Sequence, residues 1–289
     1  MILFYTFVTY YTFTGPLKPV HTDVADAKCL TNWWASILYL NTVIEPNKMC
    51  IGWGWYLSDD FQFFLVTPFI IYFMYRVPIG GSIISVVMVV FSSAIASGMS
   101  ARDDVSFGMF QLYQSYGVGV ICGYILWKLQ GRLSYSKVVN LCLWAVSGAI
   151  MLAILYGPFE IESGGRIATV AEAAIYNGWS RTAWSLALGY IILACCLGRG
   201  GRVNELLSWS GFVPLSRLTY CAYLVHPVIM TICSFSQKQL AVWSISKLVY
   251  MFATYTILAY AVAFPFSLVF EVPFMLIDRK YLTGRLKFI

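Results

Sequence analysis

The chain has 289 residues, of which 60% are hydrophobic and only 11% are charged. Soluble domains carry about 25% charged residues, so this composition predicts an integral membrane protein that crosses the bilayer several times. The net charge of +6 is scattered and no run of five basic residues occurs, which excludes a nucleic-acid-binding surface.

The first thirteen residues form an apolar run that starts at Met1. A signal peptide would have a basic region before the apolar run and a small-residue cleavage site after it, and neither is present. The run is more typical of the second half of a membrane helix, although a short anchor would also fit. The sequence therefore predicts that the chain is the C-terminal part of a longer protein.

Seven further apolar segments have lengths of about 18–24 residues, which fit a membrane span. They are unbroken, whereas the strands of a membrane barrel would alternate with period two. The sequence therefore predicts an all-α bundle of about eight membrane helices with the first incomplete, covering residues 1–289. The seven segments are residues 56–75, 79–98, 111–129, 138–157, 181–198, 215–235 and 247–270.

Alternating the loops between two sides places eleven basic and three acidic residues on one side, against eight basic and ten acidic residues on the other. The positive-inside rule makes the first side cytoplasmic, together with the C-terminus. The plasma membrane or the endoplasmic reticulum is the expected location.

A long loop on the other side, about residues 14–55, is rich in tryptophan, a residue that prefers the membrane interface. The segment 33–40 within it predicts a short interfacial or re-entrant helix. Cys29 and Cys50 are the two cysteines of this loop. In an oxidising compartment they would form a disulfide, and the alternative is a pair of free thiols.

The most informative stretch is Pro214–Pro227. Ser216 is a candidate N-cap, and Thr219, Tyr223 and His226 share one helix face through their i, i+4, i+7 spacing. Since Pro227 has no amide hydrogen, it leaves the Tyr223 carbonyl without its helical partner.

Arg217 is expected at the membrane surface, and His226 follows nine residues later, which at 1.5 Å per residue is ~13 Å deeper. A histidine at that depth is expensive unless it faces a cavity or a partner. It could act as a general base, a proton relay or a hydrogen-bonding group for a substrate. The alternative is a histidine that only packs or bonds between helices.

Asp59 and Asp60 enter the second span from the outer side. Adjacent side chains on a helix point about 100° apart, so the two carboxylates cannot form a pair on one face. One of them would face a polar cavity that opens outward, or both would cap the helix at the interface.

The loop 198–202 (Gly-Arg-Gly-Gly-Arg) carries Arg199 and Arg202 on the predicted cytoplasmic side. It lacks the Lys-Ser/Thr of a P-loop, but it could meet an anionic group such as a nucleotide phosphate. An ordinary basic loop is the alternative.

Glu271, at the cytoplasmic end of the last span, is expected to form an ion pair with Arg217 or Arg202. With two histidines in the chain, no spacing predicts a metal site.

Residues 200–209 and 212–227 closely resemble the nose-resistant-to-fluoxetine family, which lies within the acyltransferase-3 superfamily of membrane acyltransferases. Three weaker stretches, residues 33–41, 49–62 and 271–274, resemble the same family in consistent order. The family's extracytoplasmic domain and first membrane helices have no counterpart here, so the resemblance implies the C-terminal portion.

This resemblance implies transfer of an acyl group, typically acetyl, from cytoplasmic acyl-CoA to a hydroxyl group of a lipid, a sugar or another acceptor. Tyr220, Tyr223 and His226 match the family pattern Tyr-x-x-Tyr-Leu-x-His and are the expected catalytic residues. No bound cofactor is expected. Asp59 and Asp60 are expected to bind substrate. Three arginines are expected to bind it as well, by facing the CoA phosphates: Arg199, Arg202 and Arg217. A transporter or a lipid- or xenobiotic-handling protein without covalent chemistry is the alternative function.

Overall fold

The computed structural model describes residues 5, 18–44, 48–102, 108–129, 136–237 and 244–283. These residues form helices and turns without strands, which confirms the predicted all-α class. The helices are α1 (Lys18–Ile37), α2 (Trp55–Arg76), α3 (Pro78–Ser100), α4 (Gly108–Leu129), α5 (Lys137–Tyr156), α6 (Phe159–Glu162), α7 (Val170–Cys196), α8 (Gly201–Leu207), α9 (Phe212–Phe235), α10 (Ile245–Phe266) and α11 (Val272–Asp278).

Five of the described helical segments are long and apolar enough to cross a membrane. The number is six if α7 and α8, which meet at a bend of 91°, form one span. The predicted count of eight is not confirmed, and the incomplete first helix falls outside the described residues apart from Tyr5.

The chain forms two compact units, the first made of Met1–Trp55 with Trp209–Ile289 and the second of Tyr56–Ser208. In the second unit, α3, α4 and α7 pack against one another. The hydroxyl groups of Ser93 and Thr182 lie 3.0 Å apart, and Thr182 donates to Oε1 of the fully buried Gln114 over 3.2 Å. These side-chain hydrogen bonds join the three helices inside the bundle.

Helix α7 begins at Val170, well before the predicted start near residue 181. Thr169 and Glu172 form a capping box, and the Glu172 carboxylate also accepts hydrogen bonds from Arg166, the shorter over 2.8 Å. This hydrogen bond raises the pKa of the Arg166 guanidinium. The polar first turns lower the local hydropathy, but capping lets the helix begin there.

The outer loop contains α1, which is longer than the helix predicted at 33–40 and begins well before it. Its regular geometry is interrupted at Asn32, where φ is −119° and ψ is 17°. Trp33 and Trp34, just past that kink, are exposed, as expected of interfacial tryptophans.

The last predicted span, 247–270, is part of a longer helical segment that reaches from Ile245 to Tyr281. Pro265 lies inside α10 without breaking it, and a π-helical turn follows at Ser267–Glu271. Such turns occur often at functional sites, and this one carries Glu271.

Candidate functional site

A groove of about 620 Å³ runs between α9 and α10 in the first unit. Thr219, Tyr223 and His226 line it from α9, so the three residues do share the face that their spacing predicts. The wall on α10 is mostly apolar, with a lysine and several hydroxyl groups. It comprises Lys247, Leu248, Met251, Phe252, Tyr255, Thr256, Ala259 and Tyr260.

Helix α9 begins at Phe212, so the prediction of Ser216 as its N-cap is wrong. Pro214 falls in the first helical turn, where the missing amide hydrogen has no intrahelical partner in any case. The Ser216 hydroxyl instead donates to the Val213 carbonyl over 2.9 Å, inside the helix.

Helix α9 continues through Pro227 to Phe235 because a side chain replaces the missing donor. The Nδ1 atom of His226 lies 2.7 Å from the Tyr223 carbonyl oxygen and 3.3 Å from that of Ala222. A carbonyl oxygen can only accept, so Nδ1 carries the ring proton in this arrangement. The neutral ring then has its lone pair on Nε2, the atom left to act as an acceptor or base.

Tyr223 is tied to the end of the outer loop. Its hydroxyl donates to the Trp53 carbonyl over 2.5 Å, and its ring centroid lies 5.7 Å from that of His226. Trp53 belongs to a 3₁₀ turn at Gly52–Gly54 and packs edge-on against Tyr5. A phenol has one proton to donate, and this contact uses it.

Cys29 and Cys50 form a disulfide in the structure, with the sulfur atoms 1.94 Å apart. The pair is buried in a cluster with Ile51 and with Val228 of α9. Val228 is two residues beyond His226, so the cross-linked loop supports the helix close to the groove.

Two other residues of the predicted site lie elsewhere on α9. Tyr220 is 48% exposed and does not line the groove with Tyr223 and His226. Arg217 is exposed, and the helical rise separates it from His226 by ~13 Å.

Glu271 does not form the predicted ion pair with Arg217 or Arg202 among the described residues. Its Oε2 atom accepts a hydrogen bond from the Ser267 hydroxyl over 2.8 Å and one from the Cys221 thiol over 3.0 Å. The π-helical turn places Ser267 and Glu271 for this contact, and the carboxylate thereby joins the last helical segment to α9.

The aspartates lie in the second unit and differ sharply in exposure. Asp59 is 1% exposed, whereas Asp60 is exposed and borders a cavity of about 420 Å³ with Ser115 and Tyr116. Both follow the start of α2 at Trp55 by at least four residues, so they are not N-caps. One inward and one outward carboxylate is the arrangement that the helical geometry predicts.

Arg199 and Arg202 flank the bend between α7 and α8, also in the second unit. Gly198 has a φ of +70°, which favours glycine and ends α7, and the Asn140 amide donates to the Arg199 carbonyl over 3.4 Å. Arg202 is exposed. A role for the two arginines in binding a phosphate remains a prediction.

The fold and the groove define a polytopic helical membrane protein with a histidine presented to an apolar groove. A family model described as an acyltransferase domain matches residues 1–272. The chain therefore belongs to the acyltransferase-3 family, as its sequence motifs predict.

The chain is also similar to nose resistant to fluoxetine protein 6 of Caenorhabditis elegans, with 28% identity over 318 aligned positions. The match covers 96% of this chain but 38% of the length of that relative. No solved structure matches the chain.

The α10 wall of the groove was not predicted from the sequence. Lys247, Met251, Tyr255 and Ala259 recur every four residues and so share one face, a signal that was available. The contact between Tyr223 and Trp53 spans 170 residues and had no local signal.

Proposed function

We propose that the protein transfers an acyl group from acyl-CoA to a hydroxyl group of an acceptor bound in the groove between α9 and α10. The observation that carries this proposal is the hydrogen bond from His226 Nδ1 to the Tyr223 carbonyl, which leaves Nε2 as the basic atom. His226 lines the groove, and membership of the acyltransferase-3 family supports the reaction type.

In the proposed reaction, the acceptor oxygen attacks the thioester carbonyl while His226 Nε2 takes the hydroxyl proton. The tetrahedral intermediate collapses as the carbon–sulfur bond breaks. The CoA thiolate leaves and takes the proton from the imidazolium, so an ester and free CoA are formed and His226 returns to its neutral state. The hydrogen bond to the Tyr223 carbonyl stabilises the imidazolium between the two steps.

For the donor, we propose that Arg217 faces the CoA phosphates, since it is exposed on α9 before His226. Arg199 and Arg202 are proposed as further phosphate contacts on the basis of their charge and their predicted cytoplasmic side. Acetyl is the proposed acyl group, on the family resemblance alone.

The tyrosines take different proposed roles. Tyr223 positions His226 and the loop turn, since its hydroxyl proton is engaged by Trp53. Tyr220, which is 48% exposed and outside the groove lining, would have to contact the donor or acceptor beyond the groove. The apolar lining favours an acceptor with an apolar body that carries the reacting hydroxyl.

The test is acyl transfer by the purified full-length protein from radiolabelled acetyl-CoA into membrane lipids and soluble sugars. His226→Ala is expected to lower the rate by about 10²–10⁴-fold, the usual contribution of a general base. Thr231→Ala is the matched control, because Thr231 lies on the same helix and donates to the Pro227 carbonyl without lining the groove. Wild-type turnover in the His226 variant would exclude the proposed role.

The alternative, a lipid- or xenobiotic-handling protein without covalent chemistry, is favoured by the apolar groove itself. Helices broken near the membrane centre are common in transporters, but α9 continues through Pro227. Calorimetric titration with acetyl-CoA separates the two functions, because a handling protein has no need to bind the donor. Acetyl-CoA binding by the wild type that is lost in Arg217→Gln would support the acyl-transfer function.

A further inference from the structure

A second, larger groove lies in the unit Tyr56–Ser208, between α2 and α4, and the proposed reaction does not use it. Its volume is about 830 Å³, and exposed aromatic side chains dominate one end. Two contacts align its walls: the Thr67 and Tyr116 hydroxyl groups are 2.5 Å apart, and the rings of Tyr75 and Trp127 are 6.2 Å apart. The two helices therefore run parallel, and Arg76 and Lys128 lie at the same end of the groove.

The chemistry changes along this groove. Phe64 and Val120 line the part near the Thr67–Tyr116 contact, and four aromatic residues line the other end: Tyr72, Tyr75, Tyr124 and Trp127. Tyrosine and tryptophan with lysine or arginine just beyond them are typical of the membrane–water interface. From Phe64 to Tyr75 the groove extends about 16 Å along α2, enough for much of an acyl chain.

A cation follows the last aromatic residue of the groove on each helix, Arg76 after Tyr75 and Lys128 after Trp127. The Arg76 guanidinium lies over the Tyr72 ring at 5.6 Å, and its Nε donates to the Tyr72 hydroxyl over 3.3 Å. These contacts orient the side chain and leave the Nη donors of the guanidinium for a bidentate partner. Lys128 is exposed at the end of α4.

We propose that this groove, lined by α2 between Phe64 and Tyr75 and by α4 between Tyr116 and Trp127, binds an anionic phospholipid. One acyl chain lies along Phe64 and Val120, the glycerol region packs against the aromatic residues, and the headgroup phosphate pairs with Arg76 and Lys128. The charge distribution of the loops predicts this end to be cytoplasmic, and the cytoplasmic leaflet is rich in anionic lipids. A zwitterionic lipid carries the same phosphate, but its own ammonium group offsets that charge, so a lipid with a net negative charge is the better counter-charge for the two cations.

Charge specificity is tested by native mass spectrometry of the purified full-length protein with phosphatidylserine or phosphatidylcholine of identical chains. We expect phosphatidylserine to bind more tightly. Arg76→Gln and Lys128→Gln should each weaken its binding about fivefold, and the double variant roughly 30-fold. Lys137→Gln is the control, because Lys137 begins α5, which contributes no residue to the groove lining, whereas Arg76 and Lys128 directly follow the lining residues Tyr75 and Trp127.

Steric occlusion provides an independent test. A Cβ at Gly123, on the groove wall, would meet no atom within 4 Å, so Gly123→Phe places a ring in the groove without a backbone clash. Gly148→Phe on α5 is the matched control, with the same open surroundings outside the groove. We expect Gly123→Phe alone to displace phosphatidylserine.

Two results would overturn the proposal. One is equal binding of phosphatidylserine and phosphatidylcholine, and the other is equal weakening by Lys128→Gln and Lys137→Gln. Neither result depends on acyl transfer, so the proposed function stands or fails separately.

Discussion

The imidazole of His226 and the carbonyl of Tyr223 form a hydrogen bond of 2.7 Å within one helix. The bond exists because Pro227 withdraws the backbone donor that would otherwise occupy this carbonyl. A single proline thus shapes both the helix and the chemistry of the histidine, since the bond sets which ring nitrogen carries the proton.

Pro227→Ala tests this relationship directly. The new amide hydrogen bonds the Tyr223 carbonyl, so the His226 ring loses its preferred acceptor. We expect acyl transfer to fall about tenfold, a part of the 10²–10⁴-fold that a general base contributes. The helix itself should become more stable, because proline is unfavourable in a helix interior.

The measurement for Pro227→Ala combines turnover with the nitrogen NMR shifts of the histidine ring, which distinguish the two neutral tautomers. An unchanged tautomer with unchanged turnover would contradict the assigned role of the proline. A loss of turnover with a lower melting temperature would point to misfolding instead.

Tyr223→Phe separates positioning from catalysis. Removing the hydroxyl leaves the Trp53 carbonyl without this donor, so we expect a loss of about 1 kcal/mol in the free energy of unfolding. The kcat of the folded fraction should stay within a few-fold of wild type, because the hydroxyl proton is already used. A fall of 10²–10³-fold would instead show that the tyrosine stabilises a developing oxyanion.

Local patterns predicted much of the candidate site. The i, i+4, i+7 spacing placed Thr219, Tyr223 and His226 on one face, and they do line one groove. The same reasoning anticipated the different exposure of Asp59 and Asp60. In each case, the side-chain direction follows from position on a regular helix, which the sequence contains.

Two other features were predicted wrongly, for different reasons. Hydropathy placed the start of α7 too late, because Glu172 and Asn177 make its first turns polar, although the capping box of Thr169 and Glu172 is a local signal for that start. The predicted ion pair of Glu271 was wrong, because a cysteine and a serine, and not an arginine, donate hydrogen bonds to its carboxylate. Charge alone does not identify the partner of a carboxylate in a bundle.

The disulfide between Cys29 and Cys50 is expected to stabilise the first unit. It closes a loop with a sequence separation of 21 residues, for which chain entropy gives about 3 kcal/mol. The paired substitution Cys29→Ser with Cys50→Ser should therefore lower the melting temperature, followed by tryptophan fluorescence on heating in detergent.

The control for the disulfide is Cys142→Ser with Cys196→Ser, which removes two exposed free thiols. A reductant should lower the melting temperature of the wild type as the Cys29/Cys50 substitutions do. It should leave the melting temperature of the Cys29/Cys50 variant unchanged. Equal melting temperatures for wild type and the Cys29/Cys50 variant would show that the packing of Ile51 against Val228 suffices without the cross-link.

The hydrogen bonds among Ser93, Gln114 and Thr182 provide a prediction for the second unit. Thr182→Val removes the hydroxyl that contacts both partners, and Gln114 is fully buried. Side-chain hydrogen bonds between membrane helices contribute about 0.6 kcal/mol on average, with a maximum near 1.7. For the two hydrogen bonds together, we expect a loss of about 1–2 kcal/mol in the free energy of unfolding, measured by unfolding with sodium dodecyl sulfate in mixed micelles.

Thr256→Val is the control, since the Thr256 hydroxyl is exposed and donates to the Phe252 carbonyl of its own helix. If both variants unfold alike, the three residues do not hold α3, α4 and α7 together, and the remaining contacts between these helices suffice.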